Sequence, residues 1–326
     1  MASYGYQEAL LPLDKYYTKE NAQDFTTVER EIATYRGKMI SAPMGSTSVG
    51  LFYNVDLFKA AGVRPPGITP EDRLTWDQVV ELAKKVQVDK NRDGVPEVWG
   101  LAFQQYDRPY MMLPLIQSNG SDALSPDGKT VDGSLNSPAA VAAARWYGDV
   151  FNKHKVAPRE QIPNIFYAGQ VAMYLAPSYE ANTLKAKFPN VNWAVAPHPY
   201  FKKPVTPTGA WHVGVFSRTK HPDLAAALVK AYTDPEPAKR NYTIMNYTPV
   251  RESTFKALPE TFEVMPNKLF YWEIVHTAVT RPRTPAYREY EDLLRQAFAN
   301  IRQGADAAKE MDTAVQKIDA HLRRYR

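Results

Sequence analysis

A chain of 326 residues is longer than one hydrophobic core usually serves, so two lobes or domains are the default expectation. Its 44% hydrophobic and 23% charged residues are ordinary globular values and exclude a disordered chain, while a net charge of +5, mostly dispersed, excludes the concentrated basic stripe of a nucleic-acid binder. Zero cysteines exclude disulfides, thiol catalysis and cysteine-based metal sites.

Residues 1–15 lack a basic segment followed by an apolar core, so no secretory signal is read there. Met39 to Met44 and Val49 to Tyr53 read as short strands, each brief, apolar and flanked by breakers. Between them Gly45-Ser46-Thr47-Ser48 is expected as a small, hydroxyl-rich turn that a polar ligand can approach closely. Asn54 caps a helix that turns Leu57, Phe58 and Ala61 inward and stops at Gly62. Thr75 and Gln78 have capping-box spacing, and Val79, Leu82, Ala83 and Val86 form one apolar stripe of the helix 75–86.

Asp89-Lys90-Asn91-Arg92-Asp93-Gly94 then opens like a calcium loop, with Asp89, Asn91, Asp93 and Glu97 as ligands. The twelfth position holds Gly100 rather than the usual bidentate Glu, and a metal-free Asx turn is the competing reading. Trp99 to Phe103 reads as a buried strand, and Ser137-Pro138 as the cap and first residue of a further helix. Phe166 to Gln170 looks like a helix end turning into a strand at Val171 to Ala176, with more short strands at Asn192 to Ala196 and Trp211 to Phe216. From Pro222 onward the pattern is helical: 222–233, 235–245, 285–303 and 305–324. Proline-rich breaks at 197–207 and 281–285 suit interlobe crossings. The basic C-terminus, His321 to Arg326, reads as a solvated helix end. Leu224 to Val229, the longest strongly apolar stretch, is far too short to span a bilayer.

Alternation of helix and strand signals argues for α/β layers. No catalytic residue is assigned: the six histidines show no metal-binding spacing, and no nucleophile elbow or phosphate loop occurs. Asp107 and Glu180 are conceivable glycosidase carboxylates, but nothing in the sequence sets their separation. The chain is rich in aromatics, with 20 Tyr and 6 Trp, the residues that stack on sugar C–H faces.

Several loose motifs occur in one order along the chain. They are Leu11-Pro12-Leu13-Asp14, Leu74-Thr75-Trp76-Asp77-Gln78, Trp99-Gly100-Leu101, Phe166-Tyr167-Ala168-Gly169-Gln170-Val171-Ala172-Met173, Gly209-Ala210-Trp211, His221-Pro222-Asp223-Leu224-Ala225, Asn246-Tyr247-Thr248-Pro249-Val250-Arg251-Glu252-Ser253 and Arg281-Pro282-Arg283. Together with residues 38–63, they resemble the extracellular solute-binding proteins of ABC importers, in the maltose-binding-protein-like class that takes up sugars and glycerol phosphates. In that family roughly 80 to 100 residues of mature chain precede the segment matched by 38–63, behind a signal peptide. An incomplete N-terminal lobe is therefore expected, with exposed sheet edges, lowered stability and weakened binding.

The resemblance implies a periplasmic-binding-protein type II fold of two α/β lobes. Residues 1–47 and 211–258 would belong to the N-terminal lobe, and 48–210 and 259–326 to the C-terminal lobe. It implies a mono- or oligosaccharide ligand, with glycerol phosphate or a glycerophosphodiester second, hinge closure and delivery to an ABC permease. It further implies a monomer in the periplasm or at the cell surface, with no cofactor beyond the calcium considered above. Tyr110, Tyr179 and Trp211 match pocket aromatics of the family, Tyr179 standing on the loop after Ala176-Pro177-Ser178. Thr47 matches a ligand-contacting polar side chain and Arg251 an arginine near the cleft, while Arg108 either reaches the ligand or pairs with Asp107. Arg281 and Arg283 could add to an anion site, with a solvated loop as the favoured competing reading; core packing competes for the aromatics and a turn hydroxyl for Thr47. A carbohydrate-active enzyme, or a mis-started product that binds nothing, are the rival identities.

Overall fold

A computed structural model describes residues 1–245 and 248–325; Asn246 and Tyr247 of the motif before Arg251, and Arg326 of the basic terminus, lie outside them. The strands are β1 Thr34–Tyr35, β2 Lys38–Met39, β3 Ala42–Thr47, β4 Val49–Asn54, β5 Trp99–Phe103, β6 Val171–Pro177, β7 Trp193–Ala196, β8 Thr206–Pro207, β9 Gly209–Val213 and β10 Ala278–Val279.

The C-terminal lobe is built on a mixed sheet of order β5-β6-β4-β7, parallel at β5–β6 and antiparallel elsewhere. Alternation along β4 explains its burial on both faces. Val49, Leu51 and Tyr53 join the large core formed with helices Trp76–Val86, Pro109–Ser118, Pro138–Asn152, Tyr287–Arg302 and Ala307–Leu322. Phe52 points the other way, into a smaller core with Phe166, Leu184, Val195 and Phe270. The remaining lobe carries the antiparallel pair β3–β9 and a core of Leu13, Tyr17, Phe25, Ala33, Met39, Val215, Val229 and Val250.

The lobes are joined at Ser48, between β3 and β4, and again at 205–209. There β8 lies parallel to β10, which follows helix Asn267–His276. A third passage runs through the short helices Glu252–Lys256 and Pro259–Phe262.

The local punctuation follows the sequence. Asn54 Oδ1 accepts hydrogen bonds from the amides of Asp56 and Leu57, and Gly62 closes that helix at φ +65°. Thr75 and Gln78 form a reciprocal capping box, and Ser137 caps Ala140.

Several expectations change: the strand expected over Met39 to Met44 is split between β2 and β3, and among the described residues no helix ends at Phe166 to Gln170. Gly45-Ser46-Thr47 is not a turn but the second half of β3, where Gly45, Ser46 and Thr47 face Trp211, Ala210 and Gly209. Pairing with a strand far along the chain overrides the weak local propensity of these small residues. The register shifts between Pro43 and Gly45, consistent with a proline that cannot donate to the ladder. β9 ends at Val213 rather than running to Phe216, and Ala61 faces solvent. Among the described residues no helix is long and apolar enough to cross a membrane.

Candidate functional site

Between the lobes lies a cleft of about 490 Å³, bounded by the ends of β3 and β9, the loop after β6, and the N-terminal turn of Pro109–Ser118. Thr47, at the last position of β3, donates from Oγ1 to the Gly209 carbonyl at 3.1 Å and lies 3.3 Å from the Tyr110 hydroxyl. Gly209 gives room to that convergence: a Cβ there would stand 3.2 Å from Thr47 Oγ1 and 3.3 Å from both Arg281 Nη2 and Tyr110 Cε2, tight contacts that the neighbours would have to relax. Trp211 follows on β9 with 62% of its surface exposed. Across the cleft Tyr179, 38% exposed, heads the helix Glu180–Lys187 and accepts a hydrogen bond from Gln105 Nε2 at 3.3 Å. Its loop is tied to the interlobe crossing, because the Ser178 amide donates to the Ser48 carbonyl at 2.8 Å.

Arg108 is the N-cap of Pro109–Ser118, half-exposed, and 4.0 Å from Glu291. It does not pair with Asp107. That carboxylate is held by Arg302 through Nε at 3.0 Å and Nη2 at 2.9 Å, and it accepts from the buried Tyr147 hydroxyl at 2.9 Å. Asp107 sits at φ +60°, a conformation costly for a side-chain-bearing residue, and this network holds the turn that presents Arg108 and Tyr110. Burial pushes the Tyr110 phenol up to about 12 and raises that of Tyr179, so both are neutral hydrogen-bonding groups at physiological pH.

Below the cleft floor, Glu29 is fully buried and receives a hydrogen bond from Ser46 Oγ at 2.7 Å. Thr208 Oγ1 lies 2.8 Å from Ser46 Oγ, and His212 Nε2 lies 3.3 Å from the second Glu29 oxygen. Ser41 closes the set, 3.1 Å from His212 Nδ1. These contacts satisfy a buried carboxylate and clamp β3 to β9 on either side of Thr47 and Trp211.

The structure therefore brings Thr47, Arg108, Tyr110, Tyr179 and Trp211 to one cleft. It does not bring Arg251. That guanidinium is fully buried over the Phe25 ring, 3.8 Å from its centroid, and donates to the carbonyls of Thr233 and Asn21, to Asn21 Oδ1 and to Asp24. With its donors used inside the N-terminal lobe, Arg251 is a structural residue there rather than a cleft residue.

The calcium-like loop is likewise closed on itself. Asp89 accepts from the Gly94 amide, Asn91 from that of Asp93, Asp93 from that of Val95, and Glu97 from that of Lys90. Among the described residues no group of three or more His, Cys, Asp or Glu side chains is placed to hold a metal ion, and the oxygens of this loop are turned to its own amides, as in an Asx turn. The carboxylates of Asp107 and Glu180 do not line the cleft either. Glu180 is buried against the Tyr167 hydroxyl, and burial raises its pKa.

One cleft residue was given too little weight by the sequence reading. Arg281, for which a solvated loop was the favoured reading over an anion site, packs over the Tyr110 ring at 5.1 Å and lines the cleft. It also lines a neighbouring cavity of about 310 Å³ behind Trp211, together with Thr34, Tyr35, Arg283 and Tyr287. The signal that marks it is its position two residues after β10, the strand that pairs with the interlobe crossing at β8.

A family model described as bacterial extracellular solute-binding protein matches residues 1–239. A binding protein of Brucella abortus is 27% identical over 205 residues, which is 61% of this chain and 46% of that protein. An ABC transporter-binding protein of Deinococcus radiodurans is 24% identical over 276 residues, covering 80% of this chain and 62% of its own length. The chain thus spans about half to two thirds of the curated relatives it matches. Among solved structures, an ABC substrate-binding protein of Listeria monocytogenes in complex with cycloalternan superposes with a TM-score of 0.85. The match has 21% identity over 98% of this chain and 82% of that one. This likeness shows the fold, the two-lobed periplasmic-binding-protein type II architecture.

Proposed function

Since the chain belongs to the bacterial extracellular solute-binding proteins, we propose that it captures a carbohydrate in the interlobe cleft and presents it to an ABC permease. The observation that carries this reading is the pair of exposed aromatic rings facing one cleft from different lobes, Trp211 on β9 and Tyr179 on the loop after β6. Large exposed aromatics are costly to leave in water, and a pyranose offers C–H faces that cover them. Around them Gln105, Thr47, Ser46, Ser178, Thr248 and the neutral phenols supply hydroxyl and amide groups for sugar hydroxyls.

Because the two walls belong to different lobes, a ligand touching both favours the closed arrangement by its differential affinity. The passages at Ser48 and 205–209 are the natural hinge. Binding needs no covalent step and no cofactor, and the protein acts as a monomer in the periplasm or at the cell surface, as others in its family relay solutes to a membrane partner.

The test is small-angle scattering with tryptophan fluorescence, using a panel of neutral and acidic mono- and oligosaccharides. A saturable fluorescence change accompanied by a smaller radius of gyration is expected for at least one sugar. Turnover of a chromogenic glycoside, or saturable binding without contraction, would overturn the reading.

A further inference from the structure

Two fully buried carboxylates, Glu29 and Glu273, lie outside the cleft and hold the passages between the lobes from opposite sides. We infer that lobe closure pivots on Thr47 and Pro207, and that these two carboxylates are the positioning residues that fix the pivots and so set the affinity for the solute. The inference rests on the reading of capture by closure above and assigns the parts that move.

Glu273, on helix Asn267–His276, belongs to the C-terminal lobe, whose smaller core includes its neighbours Leu269 and Phe270. Its Oε2 accepts from Thr206 Oγ1 at 2.6 Å, and the Thr277 hydroxyl donates to the same oxygen. Its Oε1 accepts from the His198 amide at 3.1 Å and pairs with Arg73 Nη1 at 2.8 Å. Thr206 is thereby tied to the C-terminal lobe. Two residues later Thr208 is tied to the other one: its Oγ1 lies 2.8 Å from Ser46 Oγ and 3.4 Å from Glu29 Oε1. Only Pro207 stands between them. Opposite Val279, it has no amide to extend the β8–β10 ladder.

The first passage repeats the arrangement. Ser46 Oγ donates to Glu29 at 2.7 Å, and the Ser48 carbonyl is held at 2.8 Å by the Ser178 amide of the C-terminal lobe, which leaves Thr47 between the two anchors. The passages run side by side, since Thr47 pairs with Gly209 at the end of the β3–β9 register. The third passage spreads its rotation over two short helices, packed through Phe255, Leu258 and Phe262, rather than at one residue.

Hydrogen bonds to a buried carboxylate are strong and directional, so each anchor moves with its lobe and rotation is confined to the residue between. Thr47 then lies on the axis. Its contact with a solute persists as the lobes turn, while Trp211 and Tyr179 swing together.

The experiment is double electron–electron resonance on the full chain. With no native cysteine, Ala142→Cys and Leu228→Cys, at exposed helical positions of opposite lobes, are the only label sites. Without solute, Thr206→Val and Thr208→Val should each broaden the interlobe distance distribution about twofold. Each should also weaken binding of the tightest sugar in the panel roughly three- to tenfold, as the binding-competent arrangement loses population. Both variants keep their carboxylates paired, Glu273 with Arg73 and Glu29 with Ser46 and His212, so both fold. Thr206→Ser returns the hydroxyl and should restore width and affinity. Leu51→Ala, a core substitution away from both pivots, should lower the melting temperature and leave the width unchanged.

Distributions as narrow in both valine variants as in their parent, or equal broadening in Leu51→Ala, would overturn the pivot assignment while leaving solute capture standing. Broadened distributions that no sugar narrows, with no sugar bound, would instead remove the capture reading and the claim on affinity with it.

Discussion

The two lobes differ in how much apolar packing stands behind their buried polar contacts. In the C-terminal lobe a four-stranded sheet is covered on both faces, and its large core is almost wholly aliphatic and aromatic. In the N-terminal lobe the β3–β9 pair is short, the core is small, and directional polar contacts carry much of the order. Glu29 with Ser46, Thr208 and His212 is one such cluster, and Arg251 with Asn21, Asp24 and Thr233 is another. Several large apolar side chains on this lobe are exposed, Phe216, Leu224 and Leu228 among them. Nonpolar packing tolerates small errors of geometry, whereas a buried charge tolerates almost none. The cleft lies where the two regimes meet, its position set by sheet register on one side and by the clamp beneath β3 and β9 on the other.

The largest expected effect tests the polar side of that contrast. Arg251→Ala strands two backbone carbonyls and Asp24, and should cost about 3–5 kcal/mol by urea denaturation. Arg251→Lys should recover little, because one ammonium cannot replace a fork that reaches Asn21, Asp24 and Thr233 together. Tolerance of the alanine variant would erase the distinction drawn between the lobes.

The matching test in the apolar lobe is Leu51→Ala. Leu51 is fully buried at the centre of β4, opposite Leu175 and Ala196, so the cost should be about 3 kcal/mol through lost burial and a residual cavity. Leu51→Met, which keeps the volume, should cost less than about 1.5 kcal/mol. That recovery under a change of shape is what Arg251→Lys lacks.

Much of this was legible in the sequence where the cause is local. Caps at Asn54, Thr75 and Ser137 need only neighbours three residues away, and they appear as read. The gathering of Thr47, Arg108, Tyr110, Tyr179 and Trp211 was accessible only through family resemblance, because the strand pairings that assemble them join residues more than a hundred positions apart. The same distance hid the rest. Gly45-Ser46-Thr47 looked like a turn until β9 supplied its partner. Arg281 looked like a surface loop because nothing near it in sequence reveals the β10–β8 pairing. Arg251 was assigned to the cleft although the groups that claim it, Asn21, Asp24 and Phe25, lie at the opposite end of the chain.

The C-terminal lobe holds a buried histidine that adds to its acid sensitivity. His198 is fully buried beside Trp76, and burial together with the nearby Arg73 guanidinium lowers its pKa to about 3. Unfolded, the same ring titrates near 6.5. Above that value both states are neutral and pH has no effect through this group. Between about 6.5 and 3 only the unfolded chain takes up the proton, so stability falls as pH falls. The contribution approaches about 1.4 kcal/mol per pH unit within that window. His198→Phe keeps a ring against Trp76 and should flatten the acid limb of a stability-against-pH curve by that amount. An unchanged limb would mean that the histidine is not the source of the acid sensitivity.

The smallest effect on folding is expected at the boundary between the lobes, and it separates function from stability. Trp211 is the largest aromatic on the cleft wall, yet most of its surface is exposed, so Trp211→Ala should change folding stability by no more than about 0.5 kcal/mol. Burial cannot account for a tryptophan at that position. Covering by a ligand can, and the same substitution should weaken sugar binding roughly tenfold, as expected for loss of one aromatic platform. Phe52→Ala offers the reverse pattern: a ring of comparable kind, fully buried between β4 and Phe270, whose loss should cost several times more stability without touching the cleft. Titration and denaturation of the two variants side by side measure how cleanly the molecule divides its aromatics between holding itself together and holding its solute. If Trp211→Ala melts as early as Phe52→Ala, the exposed ring is part of the scaffold and the cleft loses its strongest claim to a sugar.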